Sequence, residues 1–333
     1  MDYLGTLKGE QMIEISEGFD YVRATQDFVG LRLFPMFKTE NMKLAVVNLV
    51  EGGDIPVMAL VHALDTEARI GDRPDYKEIN YELLLVKEKL NQGEALRKKI
   101  KDLGMSKEEK AIIDAIYNDA ANLISRVLTR FEAMADEALC TGKLTIRENN
   151  VTYDIDYALP ADHKLTVSSW SNVNHDIIAD LVAIKKNSKN KIVRAYTSDK
   201  IMGYIVNNTK LNSIAGVQGA YVTADWARNY IRNILGIDFV VVGGTYKTSA
   251  QSNTEYNFFN EDVITFATTN GTLGNTFVTS TPEEDYGFAQ RTKGFVAITQ
   301  DITKDPAGVW TKASAVAFPA FRDVKQIYIC TVA

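Results

Sequence analysis

The chain has 333 residues, 46% of them hydrophobic and 24% charged, with a formal net charge of −6. That balance is the one globular proteins carry, and at this length two lobes are expected rather than one core. An acidic chain excludes a dedicated nucleic-acid binder, which shows a basic footprint, and no apolar run is long enough to span a bilayer.

Met1-Asp2-Tyr3-Leu4-Gly5 lacks a basic region followed by an apolar run, so no secretory signal is expected. Residues Met1 to about Thr39 read as an extended arm with some helical pieces. Ser16 to Gln26 is polar and irregular, and Phe28-Val29-Gly30-Leu31-Arg32-Leu33-Phe34-Pro35 closes it. From Met42 to Val86 two strand-like arms surround a polar tip. Leu44 to Val50 and Ile55 to Val61 approach it, Arg69-Ile70-Gly71-Asp72-Arg73-Pro74-Asp75 has its turn chemistry, and Lys77 to Val86 returns. Such an excursion holds too few core residues to fold alone and is expected to lie on something else. A helical approach from Lys87 to Leu103 ends at Gly104; its basic cluster, Arg97-Lys98-Lys99-Ile100-Lys101, reads as a solvated face.

Ser106 to Gly142 reads as one unbroken amphipathic helix. Ile113, Ile116, Tyr117, Ala120, Ile124, Val127, Leu128, Phe131, Ala135 and Ala138 recur at helical spacing. Ser106-Lys107-Glu108-Glu109 fits a capping box, and Gly142 stands where a left-handed residue ends a helix. At a rise of about 1.5 Å per residue it spans roughly 50 Å, against about 10–14 residues for a typical globular helix. Tyr117, Ala120 and Ala135 would make a poor coiled-coil seam, so the helix reads as a mechanical spine. Leu144-Thr145-Ile146 and Val151 to Tyr157, around Glu148-Asn149-Asn150, read as a hairpin.

A second lobe is expected from about Leu159 to Thr299, with helices at Asn174 to Lys186, Ser198 to Asn207 and Thr223 to Leu235. The last is capped by Thr223 and stopped by Gly236. Strands are expected at Ile237 to Val242, Val263 to Ala267 and Gly294 to Thr299. Two closing strands, Ala315 to Phe318 and Gln326 to Val332, are expected to pair back with the hairpin, making the second lobe an insertion in the first.

Catalytic patterns are missing from the sequence. His62, His163 and His175 are scattered and match no zinc-hydrolase spacing. Nucleophile-elbow, P-loop and dinucleotide-binding glycine patterns are absent too. Gly243-Gly244 follows a strand, but Lys247 to Asn253 starts no helix that could aim amides at a phosphate, so a plain turn is expected. Glu261-Asp262 and Glu283-Glu284-Asp285 read as solvated loops, with a glycosidase-type pair or a divalent-cation site as the alternative. Cys140 and Cys330 read as small buried apolar residues in a reducing cytoplasm, not as a disulfide framework. No catalytic residue, cofactor or metal is expected.

The order of arm, long β excursion, spine helix, inserted lobe and returning strand resembles the major capsid protein of tailed phages. Individual phrases are similar to its lambda-type branch: Leu31-Arg32-Leu33-Phe34-Pro35, Ile79-Asn80 through Leu90, and Arg130-Phe131-Glu132-Ala133-Met134-Ala135 continuing through Ala138 to Lys143. Trp170-Ser171 and Phe318-Pro319 fit as well. The likeness covers essentially the whole chain and rests on order and spacing, since no single phrase is specific.

The resemblance implies an α+β fold, the tailed-phage major capsid fold. It would have an N-terminal arm (1–41), an extended β loop (42–86), a peripheral domain (87–158 and 300–333) with the spine helix (106–142), and an inserted α/β axial domain (159–299). It implies a shell protein assembled in the host cytoplasm from pentamers and hexamers, enclosing double-stranded DNA without sequence-specific binding. Scaffold, portal and decoration proteins are its other implied partners, and no membrane is. The extended loop would lie on a neighbouring subunit, placing Arg69, Asp72, Arg73, Pro74 and Asp75 at a subunit interface. No lysine–asparagine crosslink is expected. An encapsulin-type nanocompartment shell and a soluble α/β enzyme with an acidic site stay open as alternatives.

Overall fold

The computed structural model describes residues 14, 16–40, 43–49, 76–94, 98, 105–149, 151–216, 222–289, 291, 294–305 and 307–332. Short helices Tyr21–Ala24 (α1) and Val29–Leu33 (α2) precede strand Met36–Lys38 (β1). An antiparallel ribbon pairs Lys43–Leu49 (β2) with Tyr76–Glu82 (β3), and strand Leu84–Gly93 (β4) follows. The 37-residue helix Met105–Thr141 (α3) leads into a hairpin of Lys143–Glu148 (β5) and Val151–Asp156 (β6). Next come Lys164–Val167 (β7), Ile177–Asn187 (α4), Arg194–Thr197 (β8), Asp199–Val206 (α5), Thr209–Ile214 (α6) and Ala224–Leu235 (α7). Strands Asp238–Val241 (β9), Thr245–Tyr246 (β10), Tyr256–Asn257 (β11), Val263–Ala267 (β12) and Gly274–Thr279 (β13) precede the turn Pro282–Asp285 (α8). Ala297–Lys304 (β14), Ala307–Phe321 (β15) and Ile327–Val332 (β16) complete the described chain.

Two sheets organise these elements. In the first, β15 is the hub: it pairs antiparallel with β13, β14 and β4, and β1 joins β13 in parallel. The long helix lies on this sheet. Ala120, Leu123, Ile124, Val127, Leu128 and Phe131 form its buried stripe, and the Gln92 amide donates to Asp119 at 3.2 Å. The second sheet has the order β7-β16-β12-β8-β9. Strand alternation lets it serve two cores. Val263, Ala267, Ile327 and Ile329 face the core of the long helix, whereas Ile264, Phe266, Tyr328 and Cys330 face the core shared with α4, α5 and α7. The Thr265 hydroxyl, on the first of these faces, donates to the Leu139 carbonyl at 2.8 Å and ties the sheet to the end of the long helix.

Local punctuation marks several boundaries. Gly142 has φ of +65° and its amide reaches the Ala138 carbonyl at 2.9 Å, the left-handed stop expected there. The Thr223 hydroxyl caps α7, and Gly236, at φ +65°, ends it. The start of the long helix differs: it begins at Met105, which puts Ser106 inside the first turn instead of at the cap.

Three further expectations need correction. The helical approach from Lys87 is a strand as far as Gly93, because β4 bonds along β15 from Leu84 opposite Ala317 to Gly93 opposite Gly308. Leu84, Val86, Leu90 and Gln92 alternate toward the core, and this pairing overrides the helical preference of Lys87-Glu88-Lys89. Of the basic cluster only Lys98 lies among the described residues, and it is exposed. The strand that meets the returning arm is 43–49, in register Lys43 opposite Glu82, while Ile55 to Val61 falls outside the described residues. The closing strands do not pair with the hairpin: β15 goes to the first sheet and β16 to β7 and β12 of the second. Finally, the stretch read as irregular holds α1, whose Asp20 side chain accepts from the Arg23 amide.

Candidate functional site: a buried carboxylate pair and the segment it holds

The polar centre of the molecule is on the long helix. Glu132 and Asp136, one turn apart, are 2% and 0% exposed, in phase with Leu128, Phe131, Ala135 and Leu139 on the buried stripe. Glu132 accepts from the Gly30 amide at 2.8 Å and the Leu31 amide at 2.7 Å. These are early amides of α2, whose own cap residue, Phe28, makes no side-chain capping bond. The long helix thus caps a helix about a hundred residues earlier in the chain. Gly30 permits the approach, since a Cβ there would stand 2.9 Å from Ala135 Cβ and 2.9 Å from Glu132 Oε2. Phe34, just beyond, is fully buried with its ring edge-on to Phe321 at 4.9 Å. Burial pushes the Glu132 carboxyl upward, and the Leu31 and Gly30 amides pull it back. Burial and then the Glu132 charge hold the Asp136 carboxyl well above the ordinary range.

The residues weighed for catalysis have structural partners. The His163 ring is buried, hydrogen-bonded to the Ile327 carbonyl at 2.8 Å and stacked on Tyr328. His175 and the Trp170 indole both bond Asp180 Oδ2, at 2.7 and 2.8 Å. His62 lies outside the described residues. Asp262 pairs with Lys200 at 2.6 Å, and Glu261 accepts from the Asn257 amide at 2.8 Å. Glu283 takes Lys312 and Ser314, and Glu284 closes a capping box with Thr281 while pairing with the nearly buried Arg291. Gly243 and Gly244 lie in the short connection between β9 and β10, with Gly244 at φ +107°. Among the described residues no cluster of His, Cys, Asp and Glu is placed to hold a metal ion. An open cleft of about 560 Å³ beside the long helix has its ionisable groups engaged: Arg130 with Glu148 at 3.0 Å, and Glu137 with the Thr145 amide at 2.9 Å. The expected interface residues Arg69, Asp72, Arg73, Pro74 and Asp75 lie outside the described residues.

Cys140 and Cys330 are free and buried. Burial pushes both thiols up, Cys330 to about 12, so neither supplies a thiolate at neutral pH. A native sample is expected to leave both unreacted with a disulfide-exchange reagent, and an unfolded sample to titrate both. One fast thiol in the native sample would place that cysteine at the surface.

Solved structures share this architecture over nearly its full length. A prophage protein of Escherichia coli CFT073 described as a capsid protein matches with a TM-score of 0.66 and 16% identity, covering 98% of this chain and 99% of its own. A phage-related protein of Bordetella bronchiseptica RB50 matches with a TM-score of 0.56 and 11% identity, covering 97% and 96%. The mature capsid of bacteriophage PhiM1 matches with a TM-score of 0.51 and 7% identity, covering 91% and 86%. At these identities the likeness defines the fold, that of tailed-phage capsid subunits.

The model of the phage major capsid protein E family matches residues 18–332, and the chain belongs to that family. It is a major capsid protein, a structural protein of the phage shell. By sequence it matches no curated protein. The encapsulin reading gives way to this family assignment, and no helix among the described residues is long and apolar enough to cross a membrane.

Proposed function

We propose that the protein self-assembles through pentamers and hexamers into an icosahedral head that encloses double-stranded DNA, and that it is not an enzyme. The observation that carries this reading is the ribbon of β2 and β3. Among the described residues it is a sheet of two strands, seven residue pairs long, tied at its base by the Tyr153 hydroxyl donating to the Glu82 carbonyl at 3.0 Å. Two-stranded ribbons are marginal in water on their own, so a neighbouring subunit is the surface on which the extended loop lies. We assign Arg69, Asp72, Arg73, Pro74 and Asp75 to that contact. The net charge of −6 suits a shell from which DNA must later leave without sticking.

We divide the chain as the resemblance implies, into an arm (1–41), an extended loop (42–86), a peripheral domain (87–158 and 300–333) and an axial domain (159–299). Strands cross that division in the sheets: β13 bonds β15 and β1, β16 bonds β7 and β12, and β4 and β14 each run across one of its boundaries. Scaffold, portal and decoration proteins are the further partners of this reading, the host cytoplasm its place of assembly and the virion its destination.

Reversing Arg69 and Arg73 together to Glu tests it. The subunit's melting temperature is expected to stay within a degree or two of wild type, since exposed charges contribute about 0–1 kcal/mol to folding. Assembly is expected to fail, because like charges repeated at every interface cost several kcal/mol. Negative-stain micrographs beside a thermal melt check both. Normal particles from the double variant would show that the tip is no assembly contact. A wild-type chain that forms no pentamers, hexamers or particles would overturn the shell reading itself.

A further inference from the structure

The two buried carboxylates of the long helix do not have equal surroundings. Glu132 has two amides aimed at it. Neither oxygen of Asp136 has a hydrogen-bond donor among the described residues. An ideal Cβ on Gly30 would lie 2.9 Å from Glu132 Oε2 and 3.0 Å from Asp136 Oδ1, so both carboxyls press on the same few atoms of α2.

Counter-charges are placed elsewhere. On the elements packed against the helix, Glu88 of β4 pairs with Arg126, Glu148 of β5 with Arg130, and Lys312 of β15 with Glu283. Arg32 of α2 is exposed, and β12 carries no titratable side chain. Tyr328 of β16 stacks on His163, and Cys330 belongs to the other core. On the helix itself, Glu137 accepts from the Thr145 amide and Cys140 is a neutral thiol. Two ionised carboxylates this deep, without a cation, would repel each other in a medium that screens them poorly. Glu132, with its two donors, is the one that can keep a charge. Asp136, as a neutral acid, can donate to it across one turn.

We propose that Glu132 and Asp136 form a proton-operated latch: the proton on Asp136 lets Glu132 stay ionised and hold the Gly30 and Leu31 amides, and its loss loosens α2 from the long helix. The direction follows from linkage. A carboxyl whose folded value is raised stabilises the fold most fully below the ordinary carboxylate range, and that stabilisation is lost as pH rises through the folded value. The latch therefore weakens toward alkaline pH. This inference concerns the hold on the N-terminal segment and stands apart from the role of the extended loop.

Amide hydrogen exchange on the full chain tests it. After correction for base-catalysed exchange, protection of the peptide holding Gly30 and Leu31 is expected to fall by up to about tenfold per pH unit from the ordinary carboxylate range up to the pH at which the buried Asp136 ionises, and to level off above it. A peptide around Phe266, in the other core, should hold steady over the same range. Asp136→Asn is neutral at every pH and is expected to keep the Gly30 peptide protected throughout. Glu132→Gln is expected to lose that protection even at low pH. A flat corrected profile in the wild type overturns the latch, as does an Asn variant that falls in step with the wild type. If the Asn variant does not fold, the wild-type slope decides the matter alone.

Discussion

Ile124→Asp is expected to give no folded, soluble subunit. Ile124 is completely buried on the face of the long helix that meets the first sheet, beside Leu123, Val127 and Leu128. Losing the buried side chain removes roughly 2–3 kcal/mol of apolar burial. Placing an unpaired carboxylate there adds several kcal/mol more, or forces the helix off the sheet. Together these approach the whole stability of a natural domain, about 5–15 kcal/mol. Ser125→Asp, one residue on, is the control. Ser125 is exposed and its hydroxyl donates to the Ala121 carbonyl one turn back, so the change should stay within about 0.5 kcal/mol. Soluble yield and a circular-dichroism melt of the two variants decide the point. A cooperative, wild-type-like melt of Ile124→Asp would mean that this face does not pack on the sheet.

The features visible in the sequence are those whose signal is local. The long helix carries its own periodicity over many turns, and Gly142 ends it by backbone geometry alone. The same holds for α7, between Thr223 and Gly236. β4 is the opposite case. Lys87-Glu88-Lys89 has the local character of a helix, and its strand state is imposed by β15, more than two hundred residues later. The destination of β16 was likewise not visible, since Ile327 to Val332 would suit either sheet, and only the alternation of Ile327 and Ile329 against Tyr328 and Cys330 between two cores fixes it. Short elements such as β7, β8 and α6, of four to six residues, hold too few positions to show a period.

The buried carboxylates show the same limit in the candidate site. Acids four apart on a helix ordinarily face water, and the amides that need Glu132 come from residues 102 and 101 positions away. One signal was present: Glu132 and Asp136 fall in phase with Phe131, Ala135 and Leu139 instead of opposite them. Acids in an apolar stripe mark either a break in the stripe or a buried contact, and Gly30 within the apolar run Phe28 to Phe34 is the matching half. The family assignment needed the order of the whole chain, because each of its phrases alone is short and common.

Gly274→Ala is expected to destabilise the protein by about 3 kcal/mol although it adds a single methyl group, at the upper end of overpacking costs. A Cβ at Gly274 would lie 2.0 Å from the Ala320 carbonyl oxygen and 2.8 Å from Phe34 Cδ1. Neither neighbour can yield. Ala320 is held in the ladder between β13 and β15, where Gly274 faces Phe321, and Phe34 is fully buried against the Phe321 ring. The methyl group can enter only if β13 moves off β15 by about an ångström, which weakens ladder hydrogen bonds worth about 1 kcal/mol each. β1 would shift with it, since it pairs with β13. A loss of that size should lower the melting temperature by about 6–12 °C in a domain of this size. Gly93→Ala separates this from any general effect of replacing a strand glycine, because a Cβ there meets nothing within 4 Å among the described residues. It should match wild type or gain slightly from a less flexible unfolded chain. If Gly274→Ala melts beside Gly93→Ala, then β13 does not approach β15 as closely as its register requires. The seat of Phe34, the residue that ends α2, would then have to be placed differently.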